Sequence, residues 1–234
     1  MEHIGGVALH DLSQPVFWFA VLSIILIDLV LSGDNAVIIA LACRNLPSRL
    51  RRKGIIFGVL GAVGLRVLLA TVMVYLLRIP FLKTAGGALL VWIACRLVQP
   101  GKEEEREIEA PERLWAAVKT IIVADALMSL DNIIAIAGAS YGKPALLWFG
   151  LALSIPLVVF GSQILLVLMD RFPWIILAGG AVLGWAAGHM MITDEKAVKF
   201  LLELSPWFGS HTAVTAASLF FAAAITILGI VKRR

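Results

Sequence analysis

Long apolar stretches recur along the chain and are separated by short polar segments. Most are close to the ~20 apolar residues that an α-helix needs to cross a bilayer. Short strands of alternating polarity, as in a membrane β-barrel, do not appear in the pattern. The pattern therefore predicts an all-α polytopic membrane protein with about seven transmembrane helices. We place them at roughly 16–43, 55–77, 82–99, 115–139, 145–169, 174–192 and 212–231.

Composition supports this interpretation. Of the 234 residues, 60% are hydrophobic and only 15% are charged, whereas soluble domains carry roughly 25% charged residues. We expect a single transmembrane domain over residues 1–234, with little room for a separate soluble domain. The N-terminal segment MEHIGGVALHDLSQP has neither a basic region nor a small-residue cleavage site, so we expect no removable signal peptide.

The chain contains an internal repeat. IDLVLSGDN (27–35) aligns with ADALMSLDN (124–132), and LLRIPFLKTAGGALLVW (76–92) aligns with LMDRFPWIILAGGAVLGW (168–185). Each repeat holds three predicted helices, and because three is odd the second copy enters the membrane from the opposite side. Such inverted repeats are typical of secondary transporters. The predicted units are repeat one (about 16–99), a charged cytoplasmic linker (about 99–114), repeat two (about 115–192) and an extra helix (about 212–231), with an interfacial amphipathic helix at 194–204.

Basic residues set the expected orientation. Fourteen of the 20 Lys and Arg residues fall on one side of the predicted topology and five on the other, while Arg66 lies inside a helix. We therefore expect an N-terminus outside and a C-terminus in the cytoplasm of a bacterial plasma membrane. Topology and anionic lipid headgroups explain the net charge of +4 without a nucleic-acid partner. The oligomeric state is left open.

Two of the apolar segments carry acidic and amide residues near mid-membrane. Asp28 lies roughly 20 Å and Asp125 roughly 15 Å into its helix, at 1.5 Å per residue. A charge at that depth costs about 2.5–3.5 kcal/mol on the mildest scale. Because an inverted repeat brings its two copies together, we predict one central site. Its candidate ligands are Asp28, Asp34, Asn35, Asp125, Asp131 and Asn132.

Spacing refines this site. Asp28, Ser32 and Asn35 share one helical face, as do Asp125, Ser129 and Asn132. Asp34 and Asp131 would point elsewhere on an ideal helix. A local break at Gly33 would let backbone carbonyls join the site, whereas the second copy has Leu130 at that position.

Four carboxylates in apolar surroundings need protons or a cation. Carboxylate and amide oxygens suit Mg²⁺, Ca²⁺ or Mn²⁺ better than softer metals. In the alternative interpretation, these polar residues only hydrogen-bond neighbouring helices together.

Arg66, inside the second predicted helix, could balance one aspartate or gate the path. Alternatively, it extends towards the interface or pairs with a backbone carbonyl. The second repeat has Val158 or Val159 at the matching position. No catalytic motif and no phosphate-binding loop occurs in the sequence. We therefore expect neither an enzyme nor a prosthetic group, and transport driven directly by ATP is not expected.

The pattern D-x-x-L-S-x-D-N, seen in DLVLSGDN and with Met128 in DALMSLDN, resembles the TerC family of integral membrane proteins, close to its YjbE/YkoY type. The resemblance covers nearly the whole chain. The family is similar to the LysE-like transporter group, and its members are associated with manganese efflux. The resemblance thus implies export of Mn²⁺ from the cytoplasm, with the six candidate residues carrying the ion.

Two functions follow as expectations. The first is a secondary transporter that exports a divalent cation, Mn²⁺ or another such as Ca²⁺, through the mid-membrane site. Exchange with protons would return the empty carrier. The alternative is a membrane scaffold for protein insertion or assembly, or part of a tellurium-resistance complex, which the resemblance also implies.

Overall fold

A computed structural model describes residues 3–4, 7–8, 18–19, 21–22, 33–76, 79–99, 110–139 and 144–232. Within these ranges the description leaves out the side chains of residues 3–4, 7–8, 33, 70–71, 73–76, 130–139, 144–150 and 204. The described chain is helical apart from a small antiparallel pairing of β1 (His3–Ile4) with β2 (Val7–Ala8). The prediction of an all-α protein is confirmed.

Eight α-helices follow one another along the described chain. They are α1 (Gly33–Cys43), α2 (Ser48–Leu76), α3 (Leu82–Val98), α4 (Ala110–Ala139), α5 (Pro144–Arg171), α6 (Trp174–Ile192), α7 (Glu195–Leu204) and α8 (His211–Val231), with a 3₁₀ turn at Pro206–Gly209. Each predicted apolar segment corresponds to a helix. The first, 16–43, is described mainly over α1, and residues 18–19 and 21–22 are also helical.

Two helices begin before the apolar segments that predict them. The second helix begins at Ser48, ahead of the apolar segment near 55, and the fourth at Ala110, ahead of the one near 115. The reason is that polar first turns extend these helices beyond the apolar stretch that the hydropathy pattern detects.

Within the described chain, three helical stretches are long and apolar enough to cross a membrane on composition alone. They are Leu151–Arg171, Trp174–Ile192 and His211–Val231. By contrast, α2 and α4 carry charged side chains both at their polar starts and inside their apolar stretches. The chain is therefore a polytopic membrane protein, and the count of seven spans stays a prediction.

The helix packing supports the predicted pair of repeats. The first helix of each half packs on the second helix of the other half, α1 on α5 and α2 on α4, while α3 packs on α6. A side chain added at Gly87 would meet Met191, and one added at Gly180 would meet Val98. The two contacts are equivalent, because Gly87 corresponds to Gly180 and Val98 to Met191 at the same offset of 93 residues. Such an exchange of partners is what a two-fold axis between the halves produces.

The extra helix α8 belongs with the second half. A Cβ added at Gly184 would lie 2.6 Å from the carbonyl oxygen of Phe221, and one at Gly188 would lie 2.8 Å from that of Ala217. Small residues four apart let two membrane helices approach backbone to backbone. The glycines of α6 therefore form the surface on which α8 packs.

The amphipathic segment predicted at 194–204 is a helix, α7. The Asp194 carboxylate caps it by accepting hydrogen bonds from the backbone N–H groups of Lys196 (3.0 Å) and Ala197 (3.1 Å). The same carboxylate accepts from the N–H of Thr84 at 3.1 Å, near the start of α3. Phe200 and Leu202 of α7 are exposed, as expected for a helix that lies in the membrane interface.

At the opposite end of the bundle, Arg51 joins three segments. Its guanidinium pairs with Asp170 at the end of α5 and donates to the carbonyl oxygens of Arg44 (2.8 Å) and Leu46 (3.2 Å). These contacts tie the start of α2 to both halves. Asp170 is half exposed, so the pair adds little stability of its own.

Candidate metal site between the repeats

Four helices meet around a small cavity inside the bundle. Its volume is about 20 Å³, enough for one water molecule or one ion of similar size. Both repeats contribute, since α1 and α2 line one side and α4 and α5 the other. The lining residues are Asn35, Ile39, Val59, Ala62, Val63, Arg66, Asp125, Ser154, Ile155 and Val158.

Asp125 and Arg66 form the charged centre of this cavity. Nη2 of Arg66 donates to Oδ1 of Asp125 at 2.6 Å, which links α2 to α4. Both residues are buried, at 4% and 5% exposure. The hydroxyl of Ser129, one turn along α4, donates to Oδ2 of Asp125 at 3.3 Å. Ionised Asp125 thus has polar partners for both oxygens, as a buried carboxylate requires.

Close helix approach makes this pair possible. Cβ atoms added at Gly58 and Gly61 of α2 would lie 2.6 Å from Ile121 and 2.4 Å from Ile122 of α4. Because neither glycine carries a side chain, α2 lies directly against α4. Arg66 comes about two turns after Gly58 and reaches Asp125 across this contact.

Asn35 brings an amide to the opposite wall of the cavity. Its side chain is 2% exposed, yet among the described residues neither its Oδ1 nor its Nδ2 has a hydrogen-bond partner. Buried amides are nearly always satisfied, and an orphan costs about 1–3 kcal/mol. An amide left unpaired beside a cavity that holds a carboxylate is therefore a natural ligand group for a cation.

Asp34 lies next to this amide, in the first turn of α1. Its Oδ1 accepts a hydrogen bond from the backbone N–H of Asn35 at 2.9 Å. Asp34 is also close enough to interact electrostatically with Asp125 and Arg66. Asp34 thus lies close to the charged pair, although it does not line the cavity itself.

Ser154 is a cavity residue that the sequence motifs do not identify. It lies on α5 two residues before Pro156, which interrupts the helical hydrogen bonding there because proline lacks an N–H. The Ser154 hydroxyl donates to the carbonyl oxygen of Leu151 at 2.8 Å, so its oxygen lone pairs remain usable for a ligand. Its only sequence signal is an isolated serine in an apolar segment.

The structure describes the side chains of only three of the six predicted ligands. Asn35 and Asp125 line one cavity, and Asp34 lies beside Asn35 at the start of α1. Asp28 lies outside the described residues, and the side chains of Asp131 and Asn132 lie outside the description although their backbone belongs to α4. Among the side chains that are described, no three of the His, Cys, Asp and Glu type converge as a metal cluster. The complete ligand set stays a prediction.

The predicted breaks in the two motif helices also differ in outcome. In the second copy, α4 runs without interruption through Leu130 to Ala139, so no unwound carbonyls are available there. In the first copy, α1 is helical from Gly33 onward, and a break before it would fall outside the described residues.

Comparison with known proteins identifies the chain's relatives. A family model described as integral membrane protein TerC family matches residues 13–234. The chain belongs to the TerC family. The resemblance carried by the two D-x-x-L/M-S-x-D-N motifs is therefore confirmed.

Curated proteins from two bacteria are similar to the chain. The chain is 41% identical to the uncharacterized membrane protein YjbE of Bacillus subtilis over 187 residues, which cover 80% of this chain and 85% of that protein. It is 28% identical to the uncharacterized membrane protein YceF of the same organism, over 69% of this chain and 66% of that one. For YegH, a UPF0053 protein of Escherichia coli, identity is 24% over 71% of this chain and 35% of YegH. No solved structure matches.

Proposed function

We propose that this TerC-family protein is a secondary transporter that exports divalent metal cations, with Mn²⁺ as its main substrate. The observation that supports this most directly is the buried amide of Asn35, which has no hydrogen-bond partner among the described residues and lines a cavity shared with Asp125. The substrate would be held by the carboxylates of Asp34 and Asp125 and the amide of Asn35, together with Asp28, Asp131 and Asn132.

The choice of ligands argues for a hard cation. The polar groups that line the cavity are the Asp125 carboxylate, the Asn35 amide, the Ser154 hydroxyl and the Arg66 guanidinium, and the other lining side chains are aliphatic. The first three of these groups offer oxygen atoms to a cation. Oxygen ligands of this kind bind Mn²⁺, Mg²⁺ and Ca²⁺ in preference to Cu⁺ or Zn²⁺. The preference for Mn²⁺ within that group rests on the family resemblance.

The position of the cavity argues for transport. In inverted-repeat transporters, substrate sites lie at the interface between the repeats, and alternating access moves one half against the other around them. Here the cavity lies where α1 and α2 meet α4 and α5. We place the protein in the bacterial inner membrane with its N-terminus outside. The C-terminus then lies in the cytoplasm, so green fluorescent protein fused after Arg234 should fluoresce in intact cells.

Export is tested with purified protein in liposomes loaded with Mn²⁺. Wild type should release the ion, with Mg²⁺ and Ca²⁺ as competitors, and Asp125→Asn should not. Glu112→Gln, which neutralises an exposed carboxylate in the first turn of the same helix, is the matched control and should behave as wild type. A dye inside the liposomes reports whether protons enter as Mn²⁺ leaves. If folded wild type releases no Mn²⁺, the transport proposal is wrong and the scaffold alternative takes its place.

A further inference from the structure

We propose that Arg66 is a resident counter-cation of the metal site: it pairs with Asp125 whenever the transported ion does not, and so neutralises that carboxylate while the carrier returns empty. This inference rests on the proposed transport function. It assigns a role to a buried cation that the ligand motifs do not include.

The ion pair itself is the first step of the argument. Asp125 Oδ1 accepts a hydrogen bond from Nη2 of Arg66 at 2.6 Å. A guanidinium so close leaves no room for a dication on the same oxygen, and the two positive charges would repel each other strongly at low dielectric. Binding of the ion at Asp125 therefore requires Arg66 to move away. The guanidinium and the substrate compete for one carboxylate.

The second step concerns the cost of returning empty. A buried carboxylate without a counter-charge is strongly destabilised. Arg66 lies on α2 of the first repeat and Asp125 on α4 of the second, so the pair spans the two halves that alternating access must rearrange. A tethered cation that rejoins Asp125 after release keeps this carboxylate paired in the empty carrier.

The third step is that the arrangement is asymmetric. The second repeat has Val158 or Val159 where the first has Arg66, and Val158 lines the same cavity. The aligned position therefore adds no second cation. Among the described carboxylates, the guanidinium forms its ion pair with Asp125, and the proposed ligand set holds further acidic residues that attract the substrate. A monovalent cation would replace the guanidinium on Asp125 with no gain in charge, whereas a dication would gain one. Arg66 therefore also favours divalent over monovalent ions.

The test separates net export from exchange. With Mn²⁺ on both sides of the liposome membrane, labelled ion can exchange without any empty return step, whereas net efflux requires that step. Arg66→Met should lower net efflux about tenfold or more, the effect of ~1.4 kcal/mol on that step, and should retain labelled exchange. Arg66→Lys should restore net efflux because it retains the charge. Arg96→Met, at an exposed arginine stacked over Trp92, is the matched control and should change neither rate.

A binding measurement gives a second readout. Because the competing guanidinium is gone, Mn²⁺ should bind more tightly to Arg66→Met than to wild type. Added Mn²⁺ should therefore raise the melting temperature of Arg66→Met by more than it raises that of wild type. If Arg66→Met does not assemble, Arg66→Gln and Arg66→Lys provide the same contrast between neutral and charged side chains.

The outcomes are distinguishable. If wild type neither exports nor exchanges Mn²⁺, the proposed function is wrong and this inference fails with it. If wild type does both and the neutral variants lose exchange and net efflux in equal measure, Arg66 has a structural role only. If net efflux of the neutral variants equals that of wild type, the counter-cation role is wrong while the transport function stands.

Discussion

Arg66 and Asp125, which are 59 residues apart in sequence, form a buried ion pair at 2.6 Å between α2 and α4. The pair joins the two repeats at the cavity where the substrate is proposed to bind. A buried pair of this kind stabilises a fold less than its distance suggests, because both charges lose their hydration. The unfolding free energies of single and double variants therefore test how strongly the two side chains depend on each other.

Removing one partner should cost far more stability than removing both. Asp125→Leu leaves the guanidinium buried beside an apolar side chain and should lower the free energy of unfolding by about 3–5 kcal/mol. Arg66→Met should cost a similar amount. The double variant should recover most of that loss, although it should not transport. Thermal unfolding in detergent measures all three, and additive losses in the double variant would contradict the coupling.

Asn35→Leu should separate stability from function. The amide is buried and lacks a partner among the described residues, so an apolar side chain of similar size should raise the free energy of unfolding by about 1–2 kcal/mol. Mn²⁺ efflux should fall to background because the cavity loses a ligand oxygen. Asn45→Leu, the same change on an exposed turn, should leave efflux intact. A destabilised Asn35→Leu variant would show that the amide has a structural partner instead.

Much of this arrangement follows from the sequence, for identifiable reasons. Seven apolar segments predict seven helices because hydropathy is the dominant constraint in a bilayer. The repeated motif led us to expect Asn35 and Asp125 near one another, because two copies related by a two-fold axis meet at that axis. The structure has both residues in the lining of one cavity, and the complete site stays a prediction.

Other features depend on tertiary packing and could not be predicted. The partner of Arg66 was open between an aspartate and a backbone carbonyl, since reaching Asp125 depends on the glycine contact between α2 and α4. Ser154 stands out in the sequence as a polar residue that could either extend a pathway or serve packing, and only the fold shows that it lines the cavity. The start of α2 at Ser48 was missed because its first turns are basic and extend beyond the apolar stretch.

The cap of α7 should make stability depend on pH. Burial of Asp194 opposes its ionisation, but hydrogen bonds from the N–H groups of Ala197, Thr84 and Lys196 outweigh that effect, and the net pKa lies below its ordinary value of 3.8. A carboxyl with a lowered pKa in the folded state stabilises the fold above its unfolded pKa. That contribution is lost as the pH falls through the folded value.

Unfolding of wild type and Asp194→Asn, measured from neutral pH to about pH 3, tests this cap. The difference in unfolding free energy between the two proteins should be about 1 kcal/mol at neutral pH, because hydrogen bonds to a charged acceptor are stronger than those to a neutral one. It should narrow towards acid as the wild-type carboxyl becomes protonated. Glu203→Gln, at an exposed carboxylate in the last turn of the same helix, is the control and should show no such narrowing. A gap that is constant over the whole range would mean that the charge of Asp194 is irrelevant to the cap.

Three glycines of α2 give a test of the helix contact that carries the ion pair. A Cβ at Gly61 would lie 2.4 Å from Cδ1 of Ile122, whereas one at Gly64 would have no atom within 4 Å. Gly64→Ala should therefore raise the free energy of unfolding by about 0.5–1 kcal/mol, the usual gain in helix propensity. Gly61→Ala and Gly58→Ala should instead lose about 1–3 kcal/mol through overpacking. They should also slow Mn²⁺ efflux, because separating α2 from α4 moves Arg66 away from Asp125.

A smaller opposing side chain, in the double variant Gly61→Ala with Ile122→Val, should restore part of the lost stability and part of the lost efflux. Equal effects of the three alanines would show that α2 does not lie against α4 as described.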